Sequence, residues 1–224
     1  MSTEEQLSQI KGVDSLKNFY DTNKKNINIA AIAAILVMAG VWYYVREYKP
    51  AVEVDANNSF FMAERYYQMD SFNYALNGDG INPGMLDIAD EFGSTKVGDL
   101  ALYYAGRIYL NQGKYNEAID YLSDASLSDE IMNAQVITLI GDCYSELGDF
   151  SKAGDKYMKA ANARDNELTT PYALKKAGEA YEEAGEFSDA LTALNKLKDD
   201  FPTARESQSV DARIARVEAK KAAK

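Results

Sequence analysis

Few residues in this chain are equipped for chemistry. Histidine is absent, so neither a Ser-His nor a Cys-His nucleophile pair can be assembled. Cys143 is the only cysteine, which rules out an intrachain disulfide and, without histidine, a Cys/His zinc site. It sits beside Tyr144 in a helical pattern, where a small core residue is the simplest reading. Carboxylates are plentiful, as in "YEEAGE" at 181–186, but general acid–base work needs burial to shift a pKa, and the pattern gives no sign of it. The stretch "NGDGINPG" at 77–84 alternates Asp and Asn as a calcium loop does. It fails at the sixth position, where Asn82 replaces the required glycine, and no glutamate closes it at the twelfth. It reads as a surface loop. There is no Gly-rich phosphate loop followed by lysine and no metal-ligand spacing. The sequence therefore predicts no catalytic residue, no cofactor and no metal.

What the chain repeats is architecture. The segments "IYLNQGKYNEAIDYL", "CYSELGDFSKAGDKY" and "AYEEAGEFSDALTAL" share a tyrosine, a glycine four residues on, an aromatic two later and an alanine three beyond. Aligned on Tyr109, Tyr144 and Tyr181, they recur at 35 and 37 residues, a period that means stacked helical hairpins. Gly113, Gly148 and Gly185 supply the left-handed turn that ends the first helix of each unit. Gly106 with Ala118, Gly141 with Ala153 and Gly178 with Ala190 are expected to face each other where paired helices approach closely. Tyr115, Phe150 and Phe187 are expected to fill the space between consecutive hairpins. A degenerate fourth unit lies upstream, where Ala63, Tyr66, Phe72 and Ala75 keep the same relative positions. Beyond Pro202, "SQSVDARIARVEAKKAAK" has Val210, Ile214 and Val217 on one face and suits a cap over the last hairpin. The rival reading, a basic lipid-binding helix, has too short a stripe.

This pattern resembles the tetratricopeptide repeat, a helix–turn–helix unit. The resemblance runs through Leu102, Gly106, Tyr109, Ala118, Leu122 and Ala125, then Ile137, Gly141, Tyr144, Ala153, Tyr157 and Ala160. The third unit matches at Leu174, Gly178, Tyr181, Ala190, Leu194, Leu197 and Pro202. Aliphatics replace the motif's tryptophan, and its proline appears only in the last unit. The resemblance implies a protein-binding groove lined by the first helix of each hairpin. Carried over, those positions are Tyr103, Arg107 and Asn111; Thr138, Asp142 and Glu146; Tyr172, Lys175, Glu179 and Glu183. Some relatives clamp a peptide's C-terminal carboxylate with lysines, arginine and asparagines. This groove turns acidic toward its C-terminal half, so extended or basic polypeptide segments are expected instead.

The N-terminal region is of another kind. Ile27–Val45 is 19 residues long without a charge, and as a helix it spans ~28 Å, close to a bilayer's hydrocarbon thickness. Trp42, Tyr43, Tyr44 and Tyr48 gather at its far end, where amphipathic rings favour the headgroup region. A buried core helix rarely runs this long without a charged face. A cleaved signal peptide fits poorly, because the run starts late, is too long and lacks a small-x-small site. Lys11, Lys17, Lys24 and Lys25 precede the span, and Arg46 and Lys49 follow it, which predicts a cytoplasmic N-terminus. The whole chain carries 35 acidic and 24 basic residues, a net −11 that argues against nucleic acid as a partner. Residues 50–224 carry 30 acidic and 18 basic groups, a balance that repels anionic lipid.

The expected fold class is thus all-α, a transmembrane helix followed by a tetratricopeptide-repeat solenoid with a C-terminal capping helix. The expected segments are a tail (1–26), a span (27–45), a linker (46–56), an array (57–206) and a cap (207–224). The array divides near 57–98, 99–133, 134–170 and 171–206. This layout resembles the YfgM-like family of bacterial inner-membrane proteins, which includes the ancillary subunit of the SecYEG translocon. The resemblance implies a non-enzymatic, single-pass scaffold whose repeats lie in the periplasm. The implied partners are translocon membrane subunits and periplasmic chaperones or unfolded secreted clients. A related periplasmic group that coordinates envelope constriction during division is the alternative. A cytoplasm-facing scaffold would need the inverse topology.

Overall fold

The computed structural model describes residues 13–163 and 165–223. The chain divides into two units, Met1–Val52 and Glu53–Lys224. Helix α1 is Val13–Tyr43, a π turn covers Tyr44–Tyr48, and α2 is Lys49–Gln68. Ile29, Ile32, Ile35, Leu36, Val37, Met38 and Val41 are each more than half exposed. Among the described residues, one helical stretch, Ser15–Gln68, contains a segment long and apolar enough to cross a bilayer. Residues 46–56, expected to be a linker, are helical. Pro50, which has no N–H to donate, follows a π turn, a local widening of the helix where one backbone bond can be missed without ending it.

The second unit is all helical turns and hairpins. Its elements after α2 are α3 (Phe72–Asn77), α4 (Met85–Glu91), α5 (Lys96–Asn111) and α6 (Tyr115–Asp124). Then come α7 (Glu130–Glu146), α8 (Phe150–Ala163), α9 (Thr170–Ala184), α10 (Phe187–Asp200), a 3-10 turn (Arg205–Ser209) and α11 (Val210–Ala222). The pairs α5/α6, α7/α8 and α9/α10 are the three hairpins read from the repeated sequence.

One backbone motif makes all three turns. Gly113, Gly148 and Gly185 sit at φ of 73°, 77° and 75°. The residue after each glycine donates its N–H to the repeat tyrosine's carbonyl: Lys114 to Tyr109, Asp149 to Tyr144 and Glu186 to Tyr181, each at 2.9 Å. This is a Schellman closure, and it satisfies carbonyls that the helix end leaves open. The upstream unit closes the same way. Ser71 donates to Tyr66 at 2.9 Å, and Asp70 takes the left-handed position with φ 54°. Here a side chain occupies a conformation that costs glycine nothing.

Packing adds a partner to each of the expected close approaches. A Cβ on Gly141 would lie 2.6 Å from the Tyr157 ring, and Gly106 and Gly178 meet Leu122 and Leu194 in the same way. Each glycine therefore accommodates a large side chain one turn beyond the alanine expected to face it. Ala118, Ala153 and Ala190 are themselves fully buried. The second helix of the degenerate first repeat breaks at 78–84 and resumes as α4, anchored by buried Met85 and Ile88. Asp79 organises that break. Its carboxylate accepts the N–H groups of Asn82 (2.7 Å) and Ile81 (2.8 Å) and the hydroxyl of Tyr66 (2.7 Å). The Asn82 backbone bond first, then Tyr66, holds this carboxyl well below the usual range.

Helix α11 closes the array. Val210 and Val217 are buried in the core cluster of the last hairpins, with Ile214 packed beside them. Arg213 pairs with Glu179, while Arg216 and Lys220 pair with Glu182, whose side chain is only 3% exposed. The Arg213–Glu179 and Arg216–Glu182 offsets are 34 residues, the same as that of Lys176 and Asp142. Helix α11 therefore occupies the place of the first helix of one more repeat.

Two tests follow from these contacts. No atom lies within 4 Å of a Cβ placed on Gly148, so Gly148→Ala isolates the backbone cost, about 1 kcal/mol. Asp70→Gly is expected to shift the melting midpoint the opposite way. A Gly148→Ala protein as stable as the parent would contradict the turn assignment. The second test concerns Glu182. Burial pushes its carboxyl up, but Arg216 and Lys220 outweigh that and hold it below its ordinary 4.5. Stability from this group is therefore complete above pH 4.5 and lost as pH falls through the lower folded value. Urea melts across that range should show a shallower acid loss for Glu182→Gln than for the parent; identical slopes would contradict it.

Candidate functional site

The first helices α5, α7 and α9 lie side by side and carry the ten positions expected to line a groove. The structure divides these positions into two groups. Tyr103 is 3% exposed, part of a core with Ala118, Leu122, Ile140 and Cys143. It therefore presents little surface to a partner. Arg107 Nη1 donates to its hydroxyl at 3.4 Å, and the guanidinium lies 5.4 and 5.5 Å from the Tyr67 and Tyr103 ring centroids. Tyr104 joins the same aromatic cluster, edge-on to Tyr67 at 4.7 Å and to Phe60 at 5.7 Å. That cluster packs the degenerate first repeat onto the next one. Asn111 is exposed at the end of α5, and Thr138 donates its hydroxyl to the Ala134 carbonyl at 2.9 Å.

The second group converges. Asp142 Oδ1 accepts the Tyr157 hydroxyl and the Lys176 ammonium, both at 2.6 Å. Lys176 also lies 5.3 Å from the Tyr157 ring and 5.4 Å from that of Tyr172, which is 42% exposed. Burial alone would favour the neutral amine of Lys176, but Asp142 outweighs it and keeps the pKa above the ordinary lysine value. Burial first, then the bond to Asp142, pushes the Tyr157 phenol far above its usual range. The trio is a fixed, partly buried bridge between two repeats. Asp142 and Glu146 line a hollow with Leu110, Ser145, Tyr157 and Lys176. Glu179 and Glu183 line a second, with Ser145, Phe150, Tyr157, Lys176 and Ala180. The two hollows share Ser145, Tyr157 and Lys176, so they adjoin across the bridge.

The acidity expected of this face is largely compensated. Asp142 is paired with Lys176, and Glu179 with Arg213 as well as Lys175 at 4.0 Å. Glu146 accepts the Tyr115 hydroxyl at 3.2 Å and stays exposed, as does Glu183. Reading the sequence position by position missed Lys176, Tyr157 and Arg213. The signal that finds Lys176 and Arg213 is a base one repeat after an acid on the preceding first helix; Tyr157 carries no such mark.

Among the described residues, no group of three or more Cys, Asp or Glu side chains is placed to hold a metal ion. Cys143 is fully buried, and burial first, with Asp142 next, pushes its thiol up to about 12. That is the environment of an inert core cysteine.

Family models described as tetratricopeptide repeat match residues 100–125 and 172–204, and a further one matches 134–167. A solved structure of a putative kinesin light chain with nearly identical TPR-like repeats, from Podosopora anserina, is 13% identical. It covers 75% of this chain and 87% of its own, with a TM-score of 0.53. A MamA protein is 15% identical over 75% of this chain and 88% of its own, with a TM-score of 0.50. The first tetratricopeptide domain of Spaghetti (RPAP3), solved with the HSP90 peptide SRMEEVD, is 23% identical. It covers 55% of this chain and 93% of its own, with a TM-score of 0.43. No curated protein matches the chain. With three hairpins matched in register and the fold shared with solved repeat arrays, residues 100–204 form a tetratricopeptide-repeat domain.

Proposed function

We propose that this protein is a membrane-anchored scaffold, ancillary to the Sec translocon, whose repeats receive secreted clients or the chaperones that take them over. The observation that carries the binding role is the pair of adjoining hollows on the first-helix face, on either side of the Asp142–Lys176 bridge. An extended segment laid across the bridge can place apolar side chains against Leu110, Phe150 and Ala180. Its basic side chains would meet Glu146 and Glu183, the exposed acids on the two rims. Because the bridge is formed without a ligand, the surface loses little side-chain freedom when a partner binds.

The anchor reading rests on Ile27–Val45, which is uncharged and, from Asn28 onward, exposed on every side. Its lysine-rich N-terminal flank puts the repeats outside the cytoplasm under the positive-inside rule. The net negative charge of residues 50–224 keeps them off anionic lipid. Confinement at the membrane raises the array's effective concentration toward partners embedded there. The translocon assignment draws on the resemblance of this anchor-plus-array layout to the YfgM-like family.

Two measurements test the proposal. Photocrosslinkers placed along Ile27–Val45 are expected to capture translocon subunits. Glu146→Lys with Glu183→Lys should lower client or chaperone capture at least tenfold while helicity and membrane insertion stay unchanged. Capture that is indifferent to both reversals would remove the groove from the mechanism. Recovery with division machinery and no translocon subunit would replace the translocon role with that of an envelope coordinator.

A further inference from the structure

We propose that α11 is an exchangeable plug, and that its seat on the last repeat also accepts the α11 of a second copy of this chain, giving a helix-swapped dimer. The seat has an apolar floor and acidic walls. Val210 and Val217 enter the cluster that contains Leu194, Leu197 and Phe201, while Glu179 and Glu182 face Arg213, Arg216 and Lys220. Charge and shape therefore specify a basic amphipathic helix with one apolar stripe, and α11 is such a helix.

Leaving the seat empty is unfavourable. It would expose two buried valines and separate Glu182 from the two cations that pair with it. The opened end thus needs an occupant, and the α11 of another copy reproduces every contact. Closed and swapped forms then differ only in the connector and in the cost of association.

The connector permits the exchange. Phe201 is buried, but no side chain of Arg205–Ser209 is. The bend is held by Ser207 Oγ, which donates to the Phe201 carbonyl at 2.7 Å. Fully extended, residues 202–209 reach about 26 Å, enough to pass α11 to a neighbour.

Lys198 and Asp211 report the exchange, because they pair at 2.7 Å across the seat and both are exposed. Full-length Lys198→Cys and Asp211→Cys chains are purified separately in detergent, mixed and treated with a short bis-maleimide; buried Cys143 stays out of reach. The expected result is a crosslinked heterodimer whose yield rises with concentration. Adding Arg213→Glu to the Asp211→Cys chain should cut that yield at least fivefold, and Glu179→Arg in the Lys198→Cys chain should restore it. The doubly substituted Lys198→Cys/Asp211→Cys chain must crosslink within itself, which shows that the reagent spans the pair. No heterodimer at any concentration, or a yield indifferent to Arg213→Glu, would overturn the proposal.

Discussion

A helical hairpin cannot bury its own apolar face, so the interface between consecutive hairpins decides whether an array exists at all. In this protein the most demanding part of that interface is polar. Asp142 on one first helix holds Lys176 on the next, and Tyr157 from the intervening second helix bonds the same oxygen. Each group is partly removed from water, so its partner's loss leaves an uncompensated charge. Glu179 and Glu182 repeat the arrangement with Arg213 and Arg216 one repeat later. At the last two interfaces of the stack, acids on one first helix thus meet bases 34 residues on.

That constraint shapes the surface available for binding. A sequence count makes the groove acidic, yet its central acids already have cationic partners within the array. What remains for a ligand is a rigid bridge flanked by two hollows, with exposed Glu146 and Glu183 toward the turn edge. Under the proposed function, recognition would depend on shape and a few exposed charges, not on a broad negative field. The aromatic group around Arg107 serves another purpose, joining the degenerate first repeat to the next through Tyr67, Tyr103 and Tyr104.

The features legible in the sequence are those decided within a few residues. The tyrosine–glycine–aromatic–alanine spacing gives the turns because a Schellman closure is local, and it located the upstream unit even with Asp70 in place of glycine. The cap was legible because Val210, Ile214 and Val217 share one face of a helix. Contacts between helices were harder to read. The Tyr157 ring that packs against Gly141 was not legible, since a hairpin's axial offset leaves no mark on either residue type. Tyr103 sits in the core because neighbouring helices cover it, which the repeat position alone does not say. The pairing of Lys176 with Asp142 appears only when consecutive repeats are laid over each other.

The claim that polar bridges between repeats hold the array in register is tested most directly by a double-mutant cycle. Asp142→Asn, Lys176→Met and the double variant would be compared with the parent by urea unfolding of residues 53–224 within the full chain. The account predicts a favourable coupling of about 1–2 kcal/mol, with each single loss costing more than its share of the double. Strictly additive losses, with no coupling between the two positions, would contradict it.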